Sequence, residues 1–234
     1  TENLYQPNET KASFGMSNVH FLESQNNKPS WEIRSVSGEV FRKENYAFLT
    51  TVQVLFFSDK TGNQIKSKSK YGRSYLDRNE MELQGDVEIE SHKGYLFTID
   101  KLLYNGNLHT FRSDDEVEMI GPNSNDPQMR VKGKGFFGKL DDEEFTIQKN
   151  VRAEKRIKGT NFMRVRSHVG KFLTNEQISI FSGDVKTVLN NLEIQSDHLK
   201  LKLEGDEDAS TEARGNVRLK NKKMTGSANL MKLS

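Results

Sequence analysis

Around Gly85 the chain alternates strictly: Met81, Leu83, Val87 and Ile89 are apolar, while Glu82, Gln84, Asp86 and Glu88 are polar. Period two puts the two sets on opposite faces of a β-strand, one buried and one wet. The pattern returns along the chain. Val52, Val54 and Phe56 share a face, as do Phe145, Ile147, Val151 and Ala153; Val117 and Met119 follow Asp115, and Val217 and Leu219 follow Gly215. The leading valines Val54, Val87, Val117, Val151, Val185 and Val217 are separated by 33, 30, 34, 34 and 32 residues. Spacing of that kind indicates a repeat architecture. Each interval has room for about three strand-and-turn units of roughly 10 residues. Turn chemistry supplies the breaks in "SDKTGN", "SHKG", "YNGN", "GPNSNDP", "LDDEE", "LNN" and "LEGDED". A 3.6-residue period never lasts longer than about two turns. "ASTEA" (209–213) is the one candidate for a short turn of helix.

Longer stretches also echo one another. "GDVEIESHKGYLFTID" begins at Gly85 and "GDVKTVLNNLEIQSD" at Gly183. In the first, Phe97 and Ile99 precede Asp100, and Leu102 and Tyr104 follow it. In the second, Ile194 and Ser196 precede Asp197, and Leu199 and Leu201 follow. The apolar parity flips at each Asp, as it does where a β-bulge interrupts a ladder. "MRVKGKGFFGK" (129–139) and "MRVRSHVGKF" (163–172) form another matched pair.

Several function classes are disfavoured. Only 33% of the 234 residues are hydrophobic, which suits a thin body better than a compact enzyme core. The 14 Phe and the alternation argue against disorder. With no Cys, disulfides and thiolate metal sites are impossible. A net charge of +2 does not imply nucleic acid. The longest strongly apolar run, Val54-Leu55-Phe56-Phe57, is far too short to span a bilayer as a helix. His20, His92, His109, His168 and His198 show no ligand spacing. The acidic runs at 141–144 and 206–208 lack a calcium-loop pattern and read as solvated turns. The glycines of "GKGFFGK" precede an acidic, strand-like stretch, so they read as strand glycines at a bend or bulge rather than a phosphate loop. Lys66, Lys68 and Lys70 read as the wet face of a strand, or alternatively as a groove rim meeting lipid phosphates. No catalytic constellation is present, so neither an enzyme nor a cofactor is expected.

The ordered blocks resemble the periplasmic lipopolysaccharide-transport proteins LptC and LptA (OstA-like). The LptC resemblance covers about Trp31 to Glu154: "WEIRSVSGEVF", "VQVLFFSDKTGN", "LQGDVEIESHKGYLFTIDKLLYN" and "MRVKGKGFFGKLDDEEFTIQKNV". From about Phe162 to Leu230, "ISIFSGDVKTVLNNLEIQSDHLKL" and "ARGNVRLKN" are more similar to LptA. The expected division is therefore 1–154, LptC-like, and 155–234, LptA/OstA-like and continuing the same stack. The resemblance implies an all-β, elongated, open β-jellyroll with two facing antiparallel sheets in a V. It implies a non-enzymatic periplasmic protein that shields lipopolysaccharide acyl chains between the sheets. The implied partners are an inner-membrane ATP-driven Lpt transporter and an LptA-like subunit, or a second copy, docked by strand edges near residues 13–25 and 220–233. A tether to the inner membrane would lie in a segment this chain does not contain.

The expected inward, lipid-binding set is Trp31, Ile33, Val52, Val54, Phe56, Leu83, Val87, Ile89, Val117, Met119, Phe145, Ile147, Val151, Phe181, Val185, Val217 and Leu219. Period two alone fits plain sandwich core as well as a lipid groove. The competing function is a structural or carbohydrate-binding β-solenoid or sandwich with a closed core.

Overall fold

The computed structural model describes residues 11–25, 27–157, 162–203, 209–222 and 224–233. Among them the regular structure is all β, and the "ASTEA" stretch is strand rather than helix. The first seven strands are β1 (Phe14–Gln25), β2 (Lys28–Phe41), β3 (Tyr46–Phe57), β4 (Gln64–Tyr75), β5 (Glu80–Glu90), β6 (Leu96–Asn105) and β7 (Thr110–Gly121). Then come β8 (Met129–Lys139), β9 (Glu144–Arg156), β10 (Phe162–Ser167) and β11 (Val169–Leu173). The last are β12 (Ile178–Leu189), β13 (Leu192–Leu203), β14 (Ala209–Lys220) and β15 (Thr225–Leu233). The hydrogen-bonded order follows the chain from β1 to β10 and from β12 to β15, with β11 pairing β9 and β12. The pairings from β1 to β5 and from β9 to β15 are antiparallel, and β1 and β15 end the order. β10 and β11 act as one strand broken at His168, since both lie between β9 and β12. "LEGDED" falls mainly outside the described residues.

The repeat holds two long strands, not about three short ones. Its hairpin turns end at Asn45, Asn79, His109, Glu143 and Gln177, all with positive φ. Each of these residues accepts a backbone hydrogen bond from a later turn or strand end: Leu76 to Asn45, Gly106 to Asn79, Leu140 to His109, Thr174 to Glu143 and Leu203 to Gln177, at 2.8–3.2 Å. The intervals between them, 34, 30, 34 and 34 residues, carry the period.

Strands continue straight through the Gly-Asp steps by bulging. Gly85 and Asp86, Gly183 and Asp184, and Gly215 and Asn216 all take positive φ. The register shifts opposite the first and third steps lie between Lys68 and Tyr71 and between Gln195 and His198, and the shift at the second spans the step itself, from Ser182 to Val185. Gly183 needs its missing Cβ, because an added one would sit 2.8 Å from His168 Nδ1. Asp197 itself is extended and lies opposite the bulges of both neighbours, so the parity flip has its cause next door. The valine after the left-handed residue in β3 is Val52, because Thr51 carries the positive φ; Val54 is one step further on.

Buried serines accompany these irregularities. Ser35, Ser69, Ser167 and Ser196 each donate their hydroxyl to the carbonyl two residues on, at 2.8–3.1 Å. A buried hydroxyl without a partner costs about 1–3 kcal/mol, and these local bonds remove that cost.

The chain forms two compact units. Unit 1 comprises the described residues of Thr1–His92, Phe97–Asp115 and Gly138–Asp142; unit 2 comprises those of Lys93–Leu96, Glu116–Phe137 and Glu143–Ser234. Within unit 1 the sheet folds back on itself. Phe56 of β3 lies 4.4 Å, centroid to centroid, from Tyr104 of β6 and 4.9 Å from Phe111 of β7. Three strand spacings in a flat sheet would hold β3 and β6 about 14 Å apart. Within unit 2 the Ser179 hydroxyl of β12 donates to Met129 Sδ of β8 at 3.9 Å, again three spacings away in the strand order. Each unit therefore closes two layers of one sheet around an apolar seam.

Candidate functional site

The seam is built by strands that keep one parity inward. In unit 1, Trp31 and Ile33 lie on β2, Val52, Val54 and Phe56 on β3, and Leu83, Val87 and Ile89 on β5. In unit 2, Val117 and Met119 lie on β7, Phe145, Ile147 and Val151 on β9, Phe181 and Val185 on β12, and Val217 and Leu219 on β14. All are buried except Trp31 and Leu219, which are half-buried. Phe181 stands two residues before Gly183 just as Leu83 stands two before Gly85, so the two bulged strands present matching inward residues. Phe145 stacks on Phe136 at 5.8 Å, and Phe181 meets Phe172 edge-on at 6.0 Å.

The alternating strands contribute as much again. Phe97, Leu102 and Tyr104 on β6, Val131 and Phe136 on β8, and Leu199 on β13 are fully or almost fully buried. Parity flips at Asp100 on β6, at Gly135 on β8 and at Asp197 on β13 hide them from a simple period-two reading; the flip itself is the signal that finds them. β4 differs, since its inward positions include Ser67, Ser69, Gly72 and Ser74. Leu49 and Ile65 complete the apolar lining there.

Trp31 is pinned by its indole N–H, which donates to Asn79 Oδ1 at 2.9 Å. Burial pushes the Tyr95 and Tyr104 phenols well above the usual tyrosine range, while the Ser30 hydroxyl pulls Tyr104 the other way. Both rings are almost fully buried.

The edge strands bury less of their inward faces. On β1, Phe14 is 42% exposed, although Val19 is buried. On β15, Gly226 and Ala228 lie opposite Leu219 and Val217, yet both are exposed. A hollow of about 510 Å³ beside β14 and β15 is lined by Glu193, Gln195, Arg218 and Lys220, with Leu219. Most of its side chains are polar, so it does not extend the apolar seam.

Most of the charged side chains singled out in the sequence have ionic or hydrogen-bonding partners. Lys68 binds Glu88 at 2.8 Å, Lys70 binds Asp86 at 2.6 Å, and Lys66 faces Glu90 across the ladder. Asp141 accepts the Asp59 backbone N–H at 2.8 Å and contacts His109 Nδ1 at 3.0 Å. Asp142 holds Lys60 at 2.6 Å, which keeps the Lys60 ammonium above its usual range. Gly133 is a tight strand position, since an added Cβ would sit 2.5 Å from Ile147. No cluster of metal-ligating side chains occurs among the described residues, and no described helix is long and apolar enough to cross a membrane.

Residues 1–156 match the family described as "Lipopolysaccharide-assembly, LptC-related". No curated protein sequence matches. Among solved structures, the chain is similar to LptH, the LptA homologous periplasmic component of the conserved lipopolysaccharide transport device from Pseudomonas aeruginosa. Identity is 6% and the TM-score 0.29, over 76% of this chain and 98% of that one.

Proposed function

Because this chain belongs to the LptC-related family of lipopolysaccharide-assembly proteins, we propose that it is a non-enzymatic periplasmic scaffold that carries lipopolysaccharide by its acyl chains. The chains lodge in the seam, between the inner and outer membranes. The observation that carries this reading is the inward apolar lining, which recurs strand after strand in each unit and is preserved through every bulge. In water such a lining closes on itself, since exposed hydrocarbon is costly. Loading then exchanges side-chain contacts for acyl contacts, and each CH₂ removed from water gains about 0.8 kcal/mol. Holding by area, with no specific polar clamp, lets a cargo be gripped and released.

The end strands supply the docking surfaces. β1 and β15 each have one sheet neighbour, so their outer edges present unpaired backbone groups suited to strand addition. One end takes the inner-membrane ATP-driven transporter; the other takes an LptA-like subunit or a second copy. Residues 1–154 form the LptC-like part and 155–234 the LptA/OstA-like continuation. A tether to the inner membrane lies outside these residues.

Trp31, the only tryptophan, reports on the seam. Titration with intact lipopolysaccharide should shift its emission saturably, while the polysaccharide freed of acyl chains should leave it unchanged. Equal responses to both would defeat the acyl-shielding reading.

A further inference from the structure

The outward face of unit 2 places three cations directly opposite one another on neighbouring strands. Arg166 of β10 faces Arg152 of β9 on one side and Lys186 of β12 on the other. Like charges in directly opposed positions repel across a ladder. Other cations nearby have found acids: Arg164 binds Glu154 at 2.7 Å, Arg156 binds Asp126 at 2.8 Å, and Lys132 binds Glu118 at 3.0 Å. Lys186 has only Asp184, at 3.5 Å. Arg152 and Arg166 make no ion pair among the described residues. Both line a hollow of about 620 Å³ with Lys132 and Asn150, where Glu116 is the one acid.

Apolar side chains flank the cations on the same face. Phe162 is 45% exposed and shares its outward parity with Arg164 and Arg166. Val188 is 40% exposed and lies opposite Arg164. Guanidinium groups beside an exposed aromatic ring suit a boundary where anionic headgroups meet hydrocarbon.

We propose that this outward face of unit 2 docks on an anionic lipid surface, with Arg152, Arg166 and Lys186 on the phosphates and Phe162 and Val188 in the headgroup–acyl boundary. The site is separate from the inward seam, and a soluble phosphate would have no use for its apolar flank.

The test is co-sedimentation of the full chain with phosphatidylcholine vesicles, with and without phosphatidylglycerol. Each basic residue at an anionic surface is worth about fivefold in partitioning, so R152Q/R166Q should bind about 25-fold more weakly. Arg152→Lys with Arg166→Lys should retain most of the binding, and so should Lys70→Gln in unit 1. Phe162→Ser should weaken binding without changing its salt dependence. Circular dichroism checks that each variant is folded. Wild-type binding by the R152Q/R166Q variant would overturn the proposal. So would an unaffected Phe162→Ser variant whose binding is competed away by inorganic phosphate, because that result describes a free-anion site.

Discussion

Replacing Gly183 by alanine should destabilise the protein by about 2–4 kcal/mol, whereas Gly62→Ala should cost about 1 kcal/mol or less. Both glycines have left-handed backbones, with φ of 81° and 69°. An L-residue there costs about 1–2 kcal/mol. Reduced freedom in the unfolded chain returns about 0.4–1 kcal/mol. At Gly62 nothing lies within 4 Å of an added Cβ, so only that small balance remains. At Gly183 the new atom would sit 2.8 Å from His168 Nδ1 and 2.9 Å from His168 Cβ. The ring can rotate away, but Cβ cannot. The His168 backbone is also tied to this glycine, since its N–H donates to the Gly183 carbonyl at 3.0 Å. Forcing the two apart adds about 1–3 kcal/mol of overpacking strain. Urea unfolding of both variants measures the difference as a shift in midpoint at unchanged slope. Equal losses at the two sites would refute the claim that the bulge locks the break between β10 and β11 and so sets the inward register of Phe181 and Val185.

Val87→Asp buries a carboxylate in the seam and should cost about 4 kcal/mol or more, eliminating folding or lipid capture. Glu88→Lys only replaces a half-buried partner of Lys68 and should stay within about 1 kcal/mol; similar damage in both would overturn the parity assignment. Ser69→Ala removes the hydroxyl that donates to the Tyr71 carbonyl and should lower stability by about 1 kcal/mol in the same urea assay. The folded-state pKa values of Tyr95 and Tyr104 lie above the ordinary tyrosine value, so their stabilising effect is complete below about pH 10 and is lost as pH rises from there toward those values. The Tyr95→Phe/Tyr104→Phe variant should therefore lose less stability than wild type between about pH 9 and about pH 11, a window that brackets the ordinary phenol pKa. Arg156 holds the Asp126 carboxyl below its usual range, so the Asp126→Asn deficit should be full at neutral pH and fade as pH falls through that lowered pKa.

The all-β class was legible because apolar and polar residues alternate over stretches such as residues 81–89. Turns marked by Gly or Pro were legible too, but "RKEN" (42–45), "LDRN" (76–79) and "TNEQ" (174–177) contain neither. They turn instead by putting Asn45, Asn79 and Gln177 in the left-handed region. Missing such turns while treating the Gly-Asp steps as strand starts spreads the repeat over too many short strands. The inward set was found where parity holds and overlooked on β6, β8 and β13. On β6 and β13, parity changes beside Asp100 and Asp197. The repelling row of Arg152, Arg166 and Lys186 depends on which strands become neighbours, and residues 14 or 20 apart do not declare that.

Photo-crosslinking to lipopolysaccharide tests the acyl-shielding seam most directly. A photoreactive residue in place of Val54, Phe56, Val87 or Val185 should give lipid adducts, and one in place of Glu88, on the wet face of β5, should give none. Adducts from neither face, or from both alike, would contradict it.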